Sequence, residues 1–329
     1  MTGETYRSEF GRILELIDNN DRFLMIGHID PDGDCLGSMF AMTLFVRARG
    51  KDVVCYAPGD VPERLLGLPG ADSLTDRDMI ASFAPQVVIA LDSPTHGRTE
   101  NVMDIVGDVP VVNMDHHPSN EMYGEVNIVD ESAAAAALLV FRFLESVDPE
   151  SITPDIASCL YLGILMDTGS FRFQNTDEDA LSAAGRLIGY GARAYELTHE
   201  FVYMKKFRTL KLLVPVLDSL ELSCEGRIAT MQIKREMLES SGAEFKDSEG
   251  FIDYGAAIDD VELVALFREV GPDKTKVSLR SRNHHDVSLL AGRYGGGGHA
   301  KAAGLTINDS IDNVTKTILR DLEGLVSGR

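Results

Sequence analysis

The chain has 329 residues, and two domains are expected at this length because a single hydrophobic core stops growing beyond roughly 250–300 residues. Its composition is 44% hydrophobic and 25% charged, which excludes a disordered or low-complexity protein. The net charge of −21 excludes long duplex nucleic acid as an expected partner, since such binding depends on phosphate neutralisation by Lys and Arg. A short anionic substrate remains compatible, because metal ions offset an acidic field locally.

The chain shows no membrane or disulfide signature. Its longest uncharged apolar run, residues 133–141, is too short to span a bilayer, and no basic and apolar leader opens the sequence. We therefore expect a cytoplasmic protein without a membrane partner. The four cysteines show no Cys-x-x-Cys spacing, which argues against a zinc knuckle or a disulfide framework and favours buried thiols.

The N-terminal segments follow a β-α-β pattern. Apolar residues at helical spacing over 4–19 predict an amphipathic helix. The apolar run 23–26 predicts a buried strand, residues 36–49 predict the helix after it, and residues 52–56 predict the strand that closes the unit with a right-handed crossover. Residues 57–70 are rich in Pro and Gly and predict a loop.

The loop after the first strand is dense in metal-ligand types. His28, Asp30, Asp32 and Asp34 lie within seven residues of one another. Open parallel sheets bind ligands at the C-terminal ends of their strands, and oxygen and nitrogen donors gathered there suit a divalent cation. The alternative is an acidic turn in which an Asp caps the following helix.

Three more apolar segments finish on an Asp or a His. They are residues 86–91 before Asp92, residues 110–114 before Asp115, His116 and His117, and residues 159–166 before Asp167. One such case would be turn chemistry, but four segment ends together predict one convergent metal site. Mixed carboxylate and imidazole donors favour manganese, with cobalt, zinc, iron or magnesium as substitutes.

Residues 1–192 predict a mostly parallel, doubly wound α/β domain, in which helices alternate with strands and cover both faces of the sheet. Ser132 is the predicted N-cap of a helix over residues 133–147, and Thr153 is that of a helix over residues 155–166. The alanine run of the first of these helices predicts close packing against the sheet.

The remainder predicts a second unit. Residues 193–215 have a helical, mixed-charge pattern and predict a connector, and residues 216–329 predict a smaller α+β domain. Its expected strands lie at residues 217–224, 227–233, 262–270 and 275–281.

This second domain contains four consecutive glycines, residues 295–298, followed by His299. Glycine leaves backbone N–H groups accessible to an anion or a sugar-phosphate backbone. The run matches neither the dinucleotide-binding fingerprint nor a P-loop. The alternative interpretation is a flexible hairpin.

Taken together, these motifs resemble the DHH phosphoesterase family, whose name-giving triplet stands here as Asp115-His116-His117. The spacing of His28, Asp32 and Asp34 and the later Asp92 and Asp167 match the other motifs of that family. Residues 295–299 match the Gly-Gly-Gly-His signature of its DHH-associated C-terminal domain. The resemblance covers nearly the whole chain, with the motifs in the same order.

The resemblance implies two metal ions that share Asp92 as a bridging ligand. The expected ligands are His28, Asp32 and Asp92 for one ion, and Asp34, Asp92, His116 and Asp167 for the other. Asp115 and His117 are then expected to orient an imidazole and to donate to the scissile phosphate. With Asp92 they form the expected catalytic set.

The resemblance also implies substrate contacts in the second domain. The expected residues are Arg280, Arg282, Gly296, Gly297, Gly298 and His299. Guanidinium groups bind phosphates bidentately and stack on bases. Arg98, close after Asp92, is expected either to contact the substrate or to form a salt bridge inside its own domain.

Length and domain content are most similar to compact bacterial members that degrade very short oligoribonucleotides and remove the 3'-phosphate from pAp. The implied activity is therefore a metal-dependent exonuclease that converts short RNA or DNA oligonucleotides, including dinucleotides such as pApA, to mononucleotides. A cyclic di-AMP phosphodiesterase and a nucleotide-binding regulatory protein with a residual metal site are the alternatives. The complete ligand set argues against the regulatory protein. A homodimer is compatible with the resemblance.

Overall fold

A five-stranded parallel sheet organises the N-terminal unit in the computed structural model, which describes residues 6–282 and 284–327. Its strands are β1 (Arg22–Ile26), β2 (Asp52–Tyr56), β3 (Val87–Leu91), β4 (Val111–Asp115) and β5 (Val126–Val129). They stand in the order β2-β1-β3-β4-β5, and every neighbouring pair is parallel. The order reverses between β1 and β3, and such a switch point is where open α/β sheets bind ligands.

Helices cover both faces of this sheet, which confirms the doubly wound prediction. They are α1 (Arg7–Asn19), α2 (Gly33–Ala48), α3 (Arg77–Phe83), α4 (Met103–Val106), α5 (Ala136–Val147), α6 (Pro154–Asp167), α7 (Glu178–Gly189) and α8 (Ala194–Thr198). Alternate strand residues point to opposite faces. In β1, Phe23 and Met25 pack in the core with α1, α2, α5 and α6, whereas Leu24 packs on the other face with Ile80 of α3.

Glycines allow close approach of the helices around the end of β1. A Cβ added at Gly37 of α2 would lie 2.5 Å from the carbonyl oxygen of Cys159 in α6. A Cβ added at Gly163 of α6 would lie 2.6 Å from the Cβ of Ala137 in α5 and 2.8 Å from Oδ1 of Asp34 in α2. Only glycine fits at these two positions without a shift, so α2, α5 and α6 pack tightly around Asp34.

Two N-terminal features differ from the expectation. The predicted N-cap Ser132 is wrong, because α5 begins at Ala136 and the Ser132 hydroxyl lies 2.5 Å from Asp130 Oδ1 instead. The short strand β5 is an addition to the expected strands. Thr153 does cap α6, since its Oγ1 accepts a hydrogen bond from the backbone N–H of Ile156 at 3.3 Å.

The C-terminal unit is built on a mixed six-stranded sheet. Its strands are β6 (Glu221–Ser223), β7 (Ile228–Ile233), β8 (Leu263–Gly271), β9 (Lys274–Ser281), β10 (Gly297–His299) and β11 (Ala302–Ile307). They stand in the order β10-β11-β9-β8-β7-β6, with β7 and β8 parallel and the other neighbours antiparallel. The glycine run is therefore partly strand, because Gly297 and Gly298 pair with β11.

Helices also cover both faces of this second sheet, which confirms the smaller α+β unit. They are α9 (Phe207–Asp218), α10 (Arg235–Ser241), α11 (Ile252–Ala256), α12 (Val287–Arg293) and α13 (Ile311–Val326). Leu279 packs on one face with Ile318 of α13. Leu266 packs on the other face with Leu212 of α9 and Ile252 of α11.

The chain divides into the units Met1–Met204 and Lys205–Arg329. This division falls inside the expected connector, residues 193–215. Helix α8 packs on α6 of the first unit, whereas α9 packs on α10 and β7 of the second. Among the described helices, none combines the length and apolar character needed to cross a bilayer.

Candidate metal centre

The loop after β1 places a histidine and an N-cap aspartate side by side. Asp32 caps α2, because its Oδ1 accepts hydrogen bonds from the backbone N–H of Asp34 at 3.0 Å and of Cys35 at 3.1 Å. The side chain of Asp32 is still 57% exposed and lies 3.9 Å from Nε2 of His28. Nε2 of the buried His28 lies 3.4 Å from Oδ2 of Asp92. Asp32 can therefore cap α2 and still offer its side chain to a metal ion.

Asp92, directly after β3, occupies the centre of the cluster. Its backbone φ is 53°, a left-handed conformation that is uncommon outside glycine and that recurs at functional sites. The side chain is buried, and its Oδ1 accepts no hydrogen bond from any described residue. An unpaired buried carboxylate oxygen is costly, so this atom indicates a position for a cation.

His116, just after β4, faces three carboxylates. Its Nδ1 lies 3.1 Å from the carbonyl oxygen of Ala133, so a proton on Nδ1 is donated to that oxygen and Nε2 points the other way. Nε2 lies 3.6 Å from Asp92 Oδ1, 3.8 Å from Asp167 Oδ2 and 3.9 Å from Asp34 Oδ2. The backbone contact thus presents an imidazole nitrogen to all three acids.

Asp34 is held from α5. Its fully buried carboxylate accepts hydrogen bonds from the backbone N–H groups of Ala136 at 2.6 Å and Ala137 at 2.8 Å. These are orphan donors of the first turn of α5, and the positive end of the helix dipole favours a carboxylate there. Asp167 ends α6, and Nδ2 of Asn175 lies 3.4 Å from its Oδ2.

The acids repel one another strongly without a cation. Burial, with the charge of Asp167, raises the pKa of Asp34 to about 7. Burial and the charge of Asp34 raise the pKa of Asp92 well above its ordinary value. Burial raises the pKa of Asp167 to about 6 against the opposing charge of His116. Burial opposes protonation of His116, but Asp34, Asp92 and Asp167 raise its pKa to about 9.

The donor set fits divalent cations. Asp34, His116 and Asp167 offer ligand atoms within 4.8 Å of one another, and so do His28, Cys35 and Asp92. Cys35 was not expected as a donor, and burial raises the pKa of its thiol well above the ordinary value. Cations placed among these groups would neutralise the buried carboxylates, with oxygen and imidazole donors that suit manganese.

Asp115 and His117 form a pair beside the cluster. Nδ1 of His117 lies 2.8 Å from Oδ1 of Asp115 and 3.5 Å from Oδ1 of Asp92. Burial would raise the pKa of Asp115, but the hydrogen bond and charge of His117 hold it below its ordinary value. Asn120 donates to the other oxygen of Asp115 at 2.6 Å. Asp115 is thus a fixed acceptor that orients the His117 ring.

Sequence reasoning missed the amide side chains of this region. Asn113 is fully buried in β4 and donates to the carbonyl oxygen of Ser93 at 3.1 Å. Its Oδ1 accepts from Asn120 at 2.8 Å. A lone Asn inside an apolar strand was the signal available, because buried polar groups need partners.

Arg98 lies against His28, one of the predicted metal ligands. Its Nη2 is 3.2 Å from Nδ1 of His28, and its carbonyl oxygen accepts from the backbone N–H of Ile29 at 2.8 Å. Nδ1 of His28 also lies 2.9 Å from the Ile29 carbonyl oxygen, the contact that takes a proton on Nδ1. The ion pairs within the described residues do not include Arg98, and its side chain is exposed beside the cluster.

The second unit brings together some of the expected substrate residues. In the sheet, Ala302 pairs with His299 on one side and with Arg280 on the other. Directly opposite residues project to the same face, so Arg280 and His299 share a face. Arg282 lies beyond the end of β9 and lines a surface depression with Asp259 and Asp260.

Two glycines of the run are required by the backbone itself. A Cβ added at Gly296 would lie 2.2 Å from the carbonyl oxygen of Gly304. A Cβ added at Gly298, which has φ of 141°, would lie 2.5 Å from the carbonyl oxygen of Ala302. Gly297 has open space around its Cα. Close approach to β11 therefore explains Gly296 and Gly298 without a ligand.

Comparison with known proteins gives the class of the molecule. Residues 22–164 match the model of the DHH family, N-terminal domain, and residues 226–327 match that of the DHHA1 domain. The chain is 33% identical over 294 residues to the bifunctional oligoribonuclease and PAP phosphatase NrnA of Thermus thermophilus, covering 89% of this chain and 86% of that protein. It is 29% identical over 315 residues to the Bacillus subtilis protein of the same name, covering 95% and 97%.

A solved structure shows the same fold. The exopolyphosphatase-related protein of Bacteroides fragilis matches with a TM-score of 0.90 at 24% identity over 96% of each chain. With the cluster and the sequence matches, the chain belongs to the DHH family. It is a hydrolase that acts on phosphoester bonds.

Proposed function

We propose that the chain is a manganese-dependent phosphodiesterase that degrades very short oligonucleotides, such as pApA, to mononucleotides and also removes the 3'-phosphate from pAp. The observation that carries this proposal is the cluster around Asp92, whose Oδ1 accepts no hydrogen bond from a described residue and faces Nε2 of His116 at 3.6 Å. The names of the Thermus and Bacillus relatives support the two substrates.

Two Mn²⁺ ions are the proposed cofactors. His28, Asp32 and Asp92 would hold one ion, and Asp34, Asp92, His116 and Asp167 would hold the other. A pair of bound divalent cations activates water and stabilises the attacking and leaving oxygens of a displacement at phosphorus. The raised pKa values of Asp34 and Asp92 support bound cations at this cluster, since the buried carboxylates repel one another more than His116 offsets.

The side chains around the cluster position the substrate and handle protons. Asp115 accepts a hydrogen bond from Nδ1 of His117 and so fixes the direction in which Nε2 of the ring points. We assign His117 as the donor to the scissile phosphate and Arg98 as a guanidinium that binds it next to His28. Asp92, Asp115 and His117 are then the catalytic residues.

The second unit supplies the selection of short substrates in this proposal. Arg280 and His299 share one face of its sheet, and the net charge of −21 disfavours a long polyanion. Arg282, Gly296, Gly297 and Gly298 stay within the proposed substrate surface, although close backbone approach already explains Gly296 and Gly298.

Side-by-side turnover of several phosphoesters tests the proposal. Initial rates on pApA, pAp, a long single-stranded RNA, cyclic di-AMP and pyrophosphate would be measured with and without Mn²⁺. We expect pApA and pAp to be the best substrates and activity to disappear with a chelator. A preference for cyclic di-AMP or pyrophosphate, or equal rates on the long RNA and on pApA, would contradict the proposal.

A further inference from the structure

Two adjacent histidines, His284 and His285, lie beside Glu262 in the C-terminal unit. Nε2 of His285 is 2.9 Å from Oε2 of Glu262, and the two imidazole centroids are 4.7 Å apart. Adjacent side chains point to opposite sides of an extended chain, but the chain bends at His284 and both rings lie close together. One ligand atom from each of the three residues lies within 4.8 Å of the others. Nitrogen and oxygen donors from two separate segments therefore converge.

Backbone hydrogen bonds hold the histidine segment on both sides. Before it, the backbone N–H of Arg282 donates to the carbonyl oxygen of Glu262 at 2.9 Å, which continues the pairing of β8 and β9 past the end of β9. After it, the backbone N–H of Val287 in α12 donates to the carbonyl oxygen of Ala300 at 2.9 Å. The two imidazoles are thus kept near the carboxylate by the fold itself, as a preorganised site requires.

The donor set suits a zinc-type ion. Two histidines and a glutamate are a known set of protein ligands for Zn²⁺, with water in the fourth position. Ligand atoms around one tetrahedral zinc ion lie about 3.3 Å apart, given Zn–N and Zn–O distances of about 2.0 Å. The contact of 2.9 Å and the upper limit of 4.8 Å bracket this value. Small side-chain rotations would therefore place all three donors around one ion, which would replace the proton between His285 and Glu262.

The surroundings leave a path for a hydrated cation. Glu262 lines an open depression of about 530 Å³ together with Asp259, Asp260 and Arg282. Nη1 of Arg227 lies 3.9 Å from Oε1 of Glu262. These five side chains carry three negative and two positive charges, so a cation is not repelled. His284 is exposed, whereas His285 and Glu262 are largely buried, which leaves one side of the cluster open to water.

We propose that Glu262, His284 and His285 form a separate site for one zinc-type transition-metal ion in the C-terminal unit. Two imidazole donors favour Zn²⁺ over Mn²⁺ and Mg²⁺, unlike the carboxylate-rich cluster around Asp92. The bound ion would join the start of β8 to the segment between β9 and α12, and so stabilise this part of the unit. The site does not depend on the proposed function, because it uses none of the residues of the cluster around Asp92.

Zinc binding to the full chain tests the site. Protein equilibrated with excess Mn²⁺ would be titrated with Zn²⁺ by calorimetry, and the zinc retained after gel filtration would be counted. The proteins compared are the unmodified chain, Glu262→Gln, His284→Ala and His285→Ala. We expect each variant to lose about one zinc ion per chain or to bind it at least about tenfold more weakly, because changes outside the ligands already cost that much. Zinc that enters the cluster around Asp92 is common to all four proteins and cancels in the comparison.

Asp260→Asn is the matched control. Asp260 lines the same depression and has φ of 64°, a conformation that Asn also adopts. The variant removes one negative charge beside the cluster without removing any of its three donors. It should bind zinc nearly as tightly as the unmodified chain. An equal loss of zinc in Asp260→Asn and His285→Ala would mean that the acidic depression attracts cations in general, and would overturn the site.

Hydrogen exchange tests the structural role of the ion. Zn²⁺ should slow the exchange of the backbone N–H groups of Arg282 and Val287, measured by mass spectrometry on peptides from the full chain. His284→Ala should abolish this slowing. Because His284 is exposed, its replacement has little effect on folding, so this variant decides the matter even if Glu262→Gln unfolds. Equal zinc binding by His284→Ala, His285→Ala and the unmodified chain would overturn the site, and so would exchange rates that zinc leaves unchanged.

Discussion

Nε2 of His116 lies 3.6 Å from Oδ1 of Asp92, slightly farther than a hydrogen bond allows. The ring is fixed from behind by the carbonyl oxygen of Ala133, and Asp92 is fixed by its left-handed backbone. Neither side chain closes the remaining gap, although both are largely buried. Two potential ligand atoms that face each other at this separation are arranged like ligands of one shared metal ion.

Asp92→Asn should therefore remove both proposed metal ions together. Asn tolerates the left-handed backbone at this position, so the variant removes the charge without straining the chain. Metal analysis after gel filtration should fall from about two ions per chain to none. Asp30→Asn is the control, because Asp30 has a similar φ of 54° and carries an exposed carboxylate in the β1 loop. Two tightly held ions in Asp92→Asn would disprove the bridging role.

Asp115→Asn should lower kcat by about 10²-fold or more with little change in metal content. The variant keeps the shape of the side chain but loses the charge of the carboxylate that accepts the hydrogen bond from His117 and orients its ring. Asn120→Ala removes only the second hydrogen bond to Asp115 and should have a smaller effect. Steady-state kinetics on pApA with metal analysis measures both, and an unchanged kcat in Asp115→Asn would remove His117 from the proposed mechanism.

Metal removal should make stability fall as pH rises from about 5 to about 8. The folded pKa values of Asp34, about 7, and Asp167, about 6, exceed the ordinary 3.8. The folded chain therefore holds more protons than the unfolded chain in this window, and its stability decreases as they leave. His116, with its pKa raised to about 9, acts in the same direction, because its protonated form stabilises the fold below that pH.

Urea denaturation at pH 5 and pH 8, with a chelator and with Mn²⁺, measures this dependence. Bound cations displace the protons, so saturating Mn²⁺ should abolish or reverse the trend. A metal-free chain that is more stable at pH 8 than at pH 5 would show that the carboxylates relax apart without metal.

Gly163→Ala should destabilise the fold by about 1–3 kcal/mol, the usual effect of overpacking, and weaken metal binding. The added methyl group would meet Oδ1 of Asp34 and the Cβ of Ala137. Gly185→Ala in α7 is the matched control, because its Cβ has open space and alanine favours a helix. Thermal melts and Mn²⁺ titrations should show the two variants moving in opposite directions. If the two variants give the same melting temperatures and Mn²⁺ affinities, α5 and α6 can move apart without affecting Asp34.

Arg280→Ala and His299→Ala should each lower turnover of pApA about 10- to 100-fold while sparing bis-p-nitrophenyl phosphate, which lacks the groups that this face would bind. His284→Ala, an exposed histidine of the same unit, should leave both substrates unchanged. Parallel losses on the two substrates would place Arg280 and His299 in a structural role.

The ends of β1, β3 and β4 were predictable from sequence because apolar runs mark buried parallel strands and neighbouring strands end at the same edge. The structure accordingly brings Asp92 and His116 together. The cap of α5 was not predictable, since its donors are satisfied by Asp34, about a hundred residues earlier in the chain, and no local window contains that contact. Ser132 fits the local rule for an N-cap and still bonds elsewhere.

The glycine run shows a second limit of sequence reasoning. Four glycines suggest an anion loop as easily as a tight hairpin, and the distinction depends on pairing with β11. The register puts Gly298 opposite Ala303, where a side chain would strike the neighbouring strand. Likewise, Arg268 resembles any charged residue in an alternating strand, and only the structure shows that its buried Nε makes no hydrogen bond with a described residue.

The contact between Asp34 and the first turn of α5 makes the N-terminus of this helix sensitive to whether a metal ion is bound. The backbone N–H groups of Ala136 and Ala137 donate hydrogen bonds to a carboxylate that would also bind a cation. Their hydrogen-exchange rates and chemical shifts should therefore change upon titration with a diamagnetic ion such as Zn²⁺. Two backbone amides would then serve as a spectroscopic gauge of metal occupancy, readable in the intact chain with no substrate present.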